Sequence, residues 1–408
     1  MTTRMKNKKE NIGTAMNVKR LPLVIALCLC VSVIGILIHV KANAKDNTQP
    51  PDVEILKKIA TQSIKKALET THDIEKAASI VGVGKKELER VCIALNITIP
   101  GVQPEIPPIP VTTAKKIDRI EKESDAVLIN NSSTPFVLLV EKSSHSLFLV
   151  KFEKGSQKVI ATYECKTGKN HGDKKTQGDN KTPEGVYFLT AKYNRKEIEN
   201  AVGKKNAYQY GELVFVTDFP NALDTLKGKK GSGIWLHGTD EKFDETDSND
   251  TRGCVVTTNK TIQELDRYIV PGKTPLIITS SLNFIENGTL ENQRQDAMHF
   301  IESWKTAWEQ KNIDEYMNHY SKSFNTRGMS YTAWKNDKIG KWNRNQRLRV
   351  TLGDISIFKH DSGLVAHFRQ QYSIVDANNT ALLTMSGIKT IYIIPENNTW
   401  KIVTEEID

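Results

Sequence analysis

With 408 residues, 38% of them hydrophobic and 26% charged, the chain has room for two or three domains and enough apolar content for globular cores. Its net charge of +9 is partly local: residues 1–20 carry six Lys or Arg against Glu10 alone, and the mild remainder requires no nucleic-acid partner. Five cysteines, two of them inside an apolar run, exclude a disulfide scaffold, and no CxxC pair offers zinc-ligand spacing.

The basic tail, 1–20, leads into residues 21–40, which contain no Asp, Glu, Lys or Arg and have the length of a bilayer-spanning helix. Basic residues ahead of such a segment predict a cytoplasmic N-terminus, with everything after residue 41 outside. Ala42-Asn43-Ala44 also fits a signal-peptidase site, but the apolar run is longer than a typical cleaved signal, which favours a retained anchor. Cys28 and Cys30 each follow Leu, where acylation would want a small residue. Cys92 and Cys165 read as buried small hydrophobes, with a disulfide between them left open.

Residues 41–113 read as a helical spacer and linker. Apolar positions at Leu56, Ala60, Ile64, Ala67 and Leu68 predict a helix over 54–69, and two short helices are expected within 73–95. The pair superficially has the shape of a helix-turn-helix, but its place across the membrane from the chromosome makes it a small helical hairpin. Five prolines between 100 and 110 then mark a stiff boundary.

From 114 to 284 the chain turns to strands. Residues 136–140 and 147–152 predict a hairpin, followed by strands at 159–163 and 186–191, a helix over 261–269 and a last strand over 275–279. His145 in the hairpin turn and His171 in a loop read as solvated surface histidines. Residues 290–408 read as a separate unit. Helices at 295–310, 313–320 and 332–345 precede strands at 348–358, 363–375, 380–394 and 400–403, the order of an α+β cone. Trp304 and Trp308 are assigned to its core, and the basic run Lys335, Lys338, Lys341, Arg344, Arg347 and Arg349 to a solvated face.

The chemistry concentrates between 231 and 259. Ile234, Trp235 and Leu236 deliver His237 at the end of an apolar run. After a polar loop, Thr251-Arg252-Gly253-Cys254 leads into Val255 and Val256. One imidazole and one thiol at the ends of neighbouring strands suit a nucleophile that must lose its proton to react.

His237-Gly238-Thr239, the spacer, and Thr251-Arg252-Gly253-Cys254 resemble the catalytic motif of the L,D-transpeptidases, the YkuD-like family of bacterial cell-wall enzymes. Upstream, Thr167-Gly168-Lys169 and Thr182-Pro183-Glu184-Gly185 match turns of the same family, and 218–221 with 231–238 look like the branch of the cell-shape L,D-carboxypeptidases. Arg252 departs from the pattern, standing where many members have histidine. The C-terminal order of elements resembles the NTF2-like (SnoaL-like) fold.

The resemblance implies a mostly β catalytic domain, a YkuD-like β-sandwich with short helices. It implies Cys254 as nucleophile, His237 as base, the Gly238 carbonyl or Thr239 as the group orienting the imidazole, and N–H groups near Gly253 and Cys254 as an oxyanion hole. Arg252, Thr239 and Trp235 are the candidates for substrate binding. Arg252 cannot act as a base; a pairing with Asp247 or Asp250 is its structural alternative. The implied substrate is the peptidoglycan stem tetrapeptide, with release of D-alanine and 3→3 cross-linking, or trimming to a tripeptide if water is the acceptor. A catalytically silent wall-binding scaffold is the rival from another class. No cofactor or metal is implied. The expected location is the outer side of the cytoplasmic membrane, and nothing in the sequence fixes an oligomeric state.

Overall fold

The computed structural model describes residues 53–71, 73–81, 84, 85, 88, 92 and 122–407, the last without 154, 241–250, 343–346, 362 and 377–379. The basic tail, the apolar segment 21–40 and the proline-rich linker lie outside the described residues, and no described helix is long and apolar enough to cross a membrane. The chain divides into two compact units, Met1–Ile106 and Pro107–Asp408. In the first, helices Val53–Thr71 and Ile74–Val81 gather Ile64, Leu68, Ala77, Val81, Leu88 and Cys92 into a small core. Asp73 caps the second helix by accepting from Glu75 N at 2.8 Å.

The second unit is built on two sheets. Strands β1 (Lys122–Ser124) and β2 (Val127–Asn130) open it. Then come β3 (Phe136–Glu141), β4 (Ser146–Glu153), β5 (Ser156–Glu164), β6 (Gly185–Asn194), β7 (Leu213–Thr217), β8 (Trp235–His237), β9 (Val255–Val256), β10 (Pro275–Thr279) and β11 (Phe284–Glu286). Eight of these form one sheet in the order β5-β4-β3-β10-β6-β7-β8-β9. The sheet curls far enough for Lys166, just past β5, to bridge to Val256 in β9. The inner face collects Leu138, Leu149, Tyr187, Phe215, Leu236, Val255 and Leu276 into one apolar core, with helix Asn259–Leu265 packed against it. Alternation along the strands sends the other set of side chains, such as Val137, Leu139, Val150 and Phe188, to the outer face.

The second sheet contains β14 (Arg347–His360), β15 (Gly363–Val375), β16 (Ala381–Glu396) and β17 (Thr399–Ile407); the short pair β12 (Asn325–Thr326) and β13 (Met329–Ser330) precedes it. Helices Glu291–Glu309, Ile313–Asn318 and Tyr331–Trp342 accompany these strands, giving the expected α+β module. Trp304 is fully buried and Trp308 nearly so, both in its core.

The fifth strand of this sheet is β2, from ahead of the catalytic domain, so the C-terminal module shares its sheet with residues 127–130. Ile129 pairs with Ile357 and Asn130 with Ser356, while β1 pairs with β11. The outer face of the first sheet also packs directly on Phe358, Val365, Tyr392 and Val403 of the second, and Phe188 stacks on His367 with 3.9 Å between ring centroids. β2 has four residues, largely buried on both faces, so it carries no alternation by which sequence could betray it. The basic run is not uniform: Lys335 and Lys341 pair with Asp314 and Asp337, whereas Lys338 is half-buried, 3.9 Å from the centroid of Trp334.

Candidate active site

β8 is held antiparallel by β7, with Phe215 opposite Leu236, and parallel by β9, with His237 opposite Val256. Leu236 and Val255 enter the core, so the alternating positions His237, Cys254 and Val256 face a cleft of about 620 Å³. Lys166, Lys174, Tyr210, Gly233, Thr239, Thr251 and Arg252 also line it.

His237 is 4% exposed, and its Nδ1 lies 2.6 Å from the Gly238 carbonyl oxygen. A carbonyl only accepts, so Nδ1 carries the proton and Nε2 is left as the bare base. Burial pushes the imidazole down to about 4, against the opposing pull of that carbonyl, so it is neutral at pH 7. The tight bond depends on glycine: a Cβ at Gly238 would stand 2.4 Å from Asn259 Oδ1 and 2.9 Å from Ile262 Cγ2. Asn259 also receives Glu212 N at 2.9 Å and donates to Asp240 at 2.7 Å, fixing the loops on both sides of the histidine.

Cys254 is partly exposed as a residue, and its thiol donates to the Gly233 carbonyl at 3.4 Å. Burial of the sulfur pushes the thiol up, opposed by the Trp235 N–H and by the charges of Arg252 and Lys174. A neutral imidazole beside a protonated thiol is a pair at rest as neutral species, so the proton must move as the sulfur attacks. Gly253 has φ +127, and a Cβ there would meet the Lys181 carbonyl oxygen at 2.7 Å, so the turn before the nucleophile admits only glycine.

Of the N–H groups named as oxyanion-hole candidates, the one on Gly253 already has an acceptor. Gly253 N donates to Thr251 Oγ1 at 3.2 Å, and Thr251 Oγ1 donates to the Cys254 carbonyl at 2.9 Å, so the Gly253 N–H is already engaged. The Cys254 N–H has no acceptor among the described residues.

Thr239 and Arg252 line the cleft as expected, and Trp235 does not. Its ring packs 5.1 Å from Tyr210 with Val202 and Val216 around it, a structural position. Arg252 is exposed and makes no ion pair among the described residues; Asp247 and Asp250, its alternative partners, lie outside them. His171 is exposed, His145 half-buried in the β3–β4 turn, and Cys92 and Cys165 are buried and not disulfide-bonded. The described residues contain no group of three or more His, Cys, Asp or Glu placed to hold a metal.

Sequence reasoning missed Lys174, Tyr210 and Asn259. Tyr210, with its ring 5.2 Å from His237, and Asn259 carry no motif, and only pairing of distant segments brings them in.

A curled sheet that sets a histidine at the end of one strand and a cysteine just ahead of the adjacent parallel strand, both over one cleft, is a frame suited to thiol chemistry. The chain belongs to the YkuD L,D-transpeptidase family. Its residues 135–278 match the L,D-transpeptidase catalytic domain, and residues 296–406 match the Cds6 C-terminal NTF2-like domain. The solved structure of Bdellovibrio bacteriovorus Bd1075 is 31% identical, with a TM-score of 0.59 over 70% of this chain and 98% of that one. The helical cell shape determining protein Pgp2 from Campylobacter jejuni shares the fold at 22% identity and TM-score 0.54, covering 72% of this chain and 96% of its own. No curated protein sequence matches the chain.

Proposed function

We propose that the protein is a peptidoglycan-modifying cysteine acyltransferase of L,D-transpeptidase type that acts on the stem tetrapeptide and forms 3→3 cross-links. The observation that carries this reading is the neutral His237, with Nδ1–H fixed on the Gly238 carbonyl, sharing a cleft with Cys254. Nε2 takes the thiol proton as Cys254 attacks the carbonyl at the L-centre of the third residue. A C–S bond forms, the C–N bond to D-alanine breaks, and the proton on His237 passes to the departing amine. The Cys254 N–H supports the developing oxyanion. Arg252, exposed and without an ion pair among the described residues, suits the carboxylate of the leaving D-alanine.

The amine of a second stem then attacks the thioester, His237 again taking the proton. The cleft is also open to water, which would give the second reading, L,D-carboxypeptidation to a tripeptide. The apolar segment 21–40, with basic residues before it, supports an anchored enzyme on the outer side of the cytoplasmic membrane.

The test is mass analysis of tetrapeptide muropeptides after incubation. Wild-type protein is expected to release D-alanine with dimers appearing, and Cys254→Ala to release none. D-alanine loss without dimers selects the water reading, and unchanged products with wild type would overturn both.

A further inference from the structure

Among the described residues the cleft is lined by Lys166, Lys174 and Arg252, with no Asp or Glu. The cations differ in kind. Arg252 is exposed, whereas Lys174 is 2% exposed and fixed, its Nζ 2.6 Å from Asp179 Oδ1. An ammonium has three donors, and Lys174 has no second partner among the described residues. Asp179 does not belong to Lys174 alone: it also accepts from the N–H groups of Lys175 (2.8 Å), Thr176 (3.0 Å) and Lys181 (3.1 Å). Its charge is thereby shared among four donors, and Lys174 retains donor capacity towards the cleft.

The placement is also set from the thiol side. Lys230 N donates to Lys175 O at 2.9 Å and Ser232 N to Gln177 Oε1 at 3.1 Å, docking this loop on the 230–233 turn. A Cβ at Gly231 would stand 3.2 Å from Lys174 Cε, so glycine leaves room for the lysine stem. The same turn supplies the Gly233 carbonyl that holds the Cys254 thiol. The lysine is therefore anchored beside the nucleophile.

We infer that Lys174 binds a second carboxylate of the substrate, the one on the side chain of the diamino acid whose L-centre carbonyl Cys254 attacks. The inference rests on the acyl-transfer reading above. Its logic is one of residence. D-alanine leaves after the first half-reaction, so its cation belongs at the open mouth, where Arg252 is. The diamino acid stays bound to sulfur through both half-reactions, and a buried, pre-positioned cation serves a group that stays. An ammonium so placed selects a free carboxylate over its amide, which offers no charge.

The test compares synthetic tetrapeptides whose third residue is diaminopimelate with its side-chain carboxylate free or amidated, using the full-length protein. Wild type is expected to favour the free form by about ten- to a hundred-fold in kcat/KM. Lys174→Met is expected to lose that preference by slowing on the free form alone, and Lys174→Arg to keep most of it. Equal rates of Cys254 alkylation by iodoacetamide in all three proteins would show the nucleophile intact. Equal use of both peptides by wild type overturns the inference whatever the variants do, as does an equal loss on both peptides in Lys174→Met. Intact-mass measurement separates the two levels. If neither peptide leaves an acyl adduct on Cys254, the acyl-transfer reading fails; if both do equally, only the role of Lys174 fails.

Discussion

The cleft of the catalytic sheet and the interior of the C-terminal sheet each hold a buried, carboxylate-paired lysine, in different surroundings. In the C-terminal module Lys389 is paired with Glu405, and that carboxylate also accepts from Tyr320, which receives Trp304 Nε1 at 3.0 Å and lies 2.7 Å from the Tyr316 hydroxyl. Rings of Trp304, Trp308, Tyr316, Tyr320 and Phe324 fill the surrounding space. In the catalytic cleft Lys174 is paired with Asp179 at 2.6 Å but also lines a cavity of about 620 Å³, whose described lining carries no acid. A closed network of satisfied groups stabilises one fold, and an open one with donors in reserve is built for a ligand.

The sharpest way to break the contrast is at the base. His237→Gln should lower kcat/KM for D-alanine release by about a thousand-fold, within the usual range for loss of a general base, while leaving the urea midpoint nearly unchanged. In the wild type, activity should hold down to mildly acidic pH and fall only near pH 4, where His237 gains its proton. A limb near pH 6.5 instead would mean that the imidazole is solvated in the working enzyme.

The converse change is Trp304→Ala. This fully buried ring sits among Trp308, Tyr316 and Phe368, so its loss should cost about 3–5 kcal/mol in urea unfolding. Alkylation of Cys254 in the molecules that remain folded should proceed at the wild-type rate. A slowed alkylation would show that the two modules share the site as well as a core.

A smaller effect is expected at Gly238. An alanine Cβ there would stand 2.4 Å from Asn259 Oδ1 and 2.9 Å from Ile262 Cγ2, so both must shift, loosening the carbonyl that fixes the imidazole tautomer. The expected outcome is a ten-fold or so lower kcat with KM little changed, since the orientation matters to proton transfer and not to binding. An equal rise in KM would assign Gly238 to substrate contact.

The cleft was legible because its chemistry is local: His237-Gly238 and Gly253-Cys254 announce themselves by residue type and by glycines that no other residue can replace. The hairpin of β3 and β4 and the long strands β14 to β16 were legible for a related reason, as length and alternation are properties of a single segment. What escaped was non-local. β2 is too short to carry a period, and its partner Ile357 is over two hundred residues away. Lys174 looks like any loop lysine until Asp179 and Gly231 enclose it, and Trp235, beside the histidine in sequence, packs on Tyr210 away from the cleft.

The junction between the two sheets gives the smallest and most directional test. Asp218 follows β7 and accepts from Phe188 N at 3.0 Å, at the ring that stacks on His367. Part of the residue reaches solvent, but burial of its carboxyl, with Glu406 and Asp224 near, pushes it up to about 8. Between the ordinary carboxylate value of 3.8 and about 8, the folded protein keeps a proton that the unfolded chain has released, so stability falls as pH rises through that window. His367, pushed down to about 4 by burial, works the other way, adding stability as pH rises from about 4 to 6.5. Above pH 6.5 the histidine no longer contributes and Asp218 acts alone of the two. Asp218→Asn keeps the acceptor for Phe188 N and removes the titration, so its stability advantage over wild type should grow by about 1–2 kcal/mol between pH 6.5 and pH 8. Urea unfolding at the two pH values measures it, and parallel curves for the two proteins would mean that the Asp218 carboxyl is ionised in the folded junction.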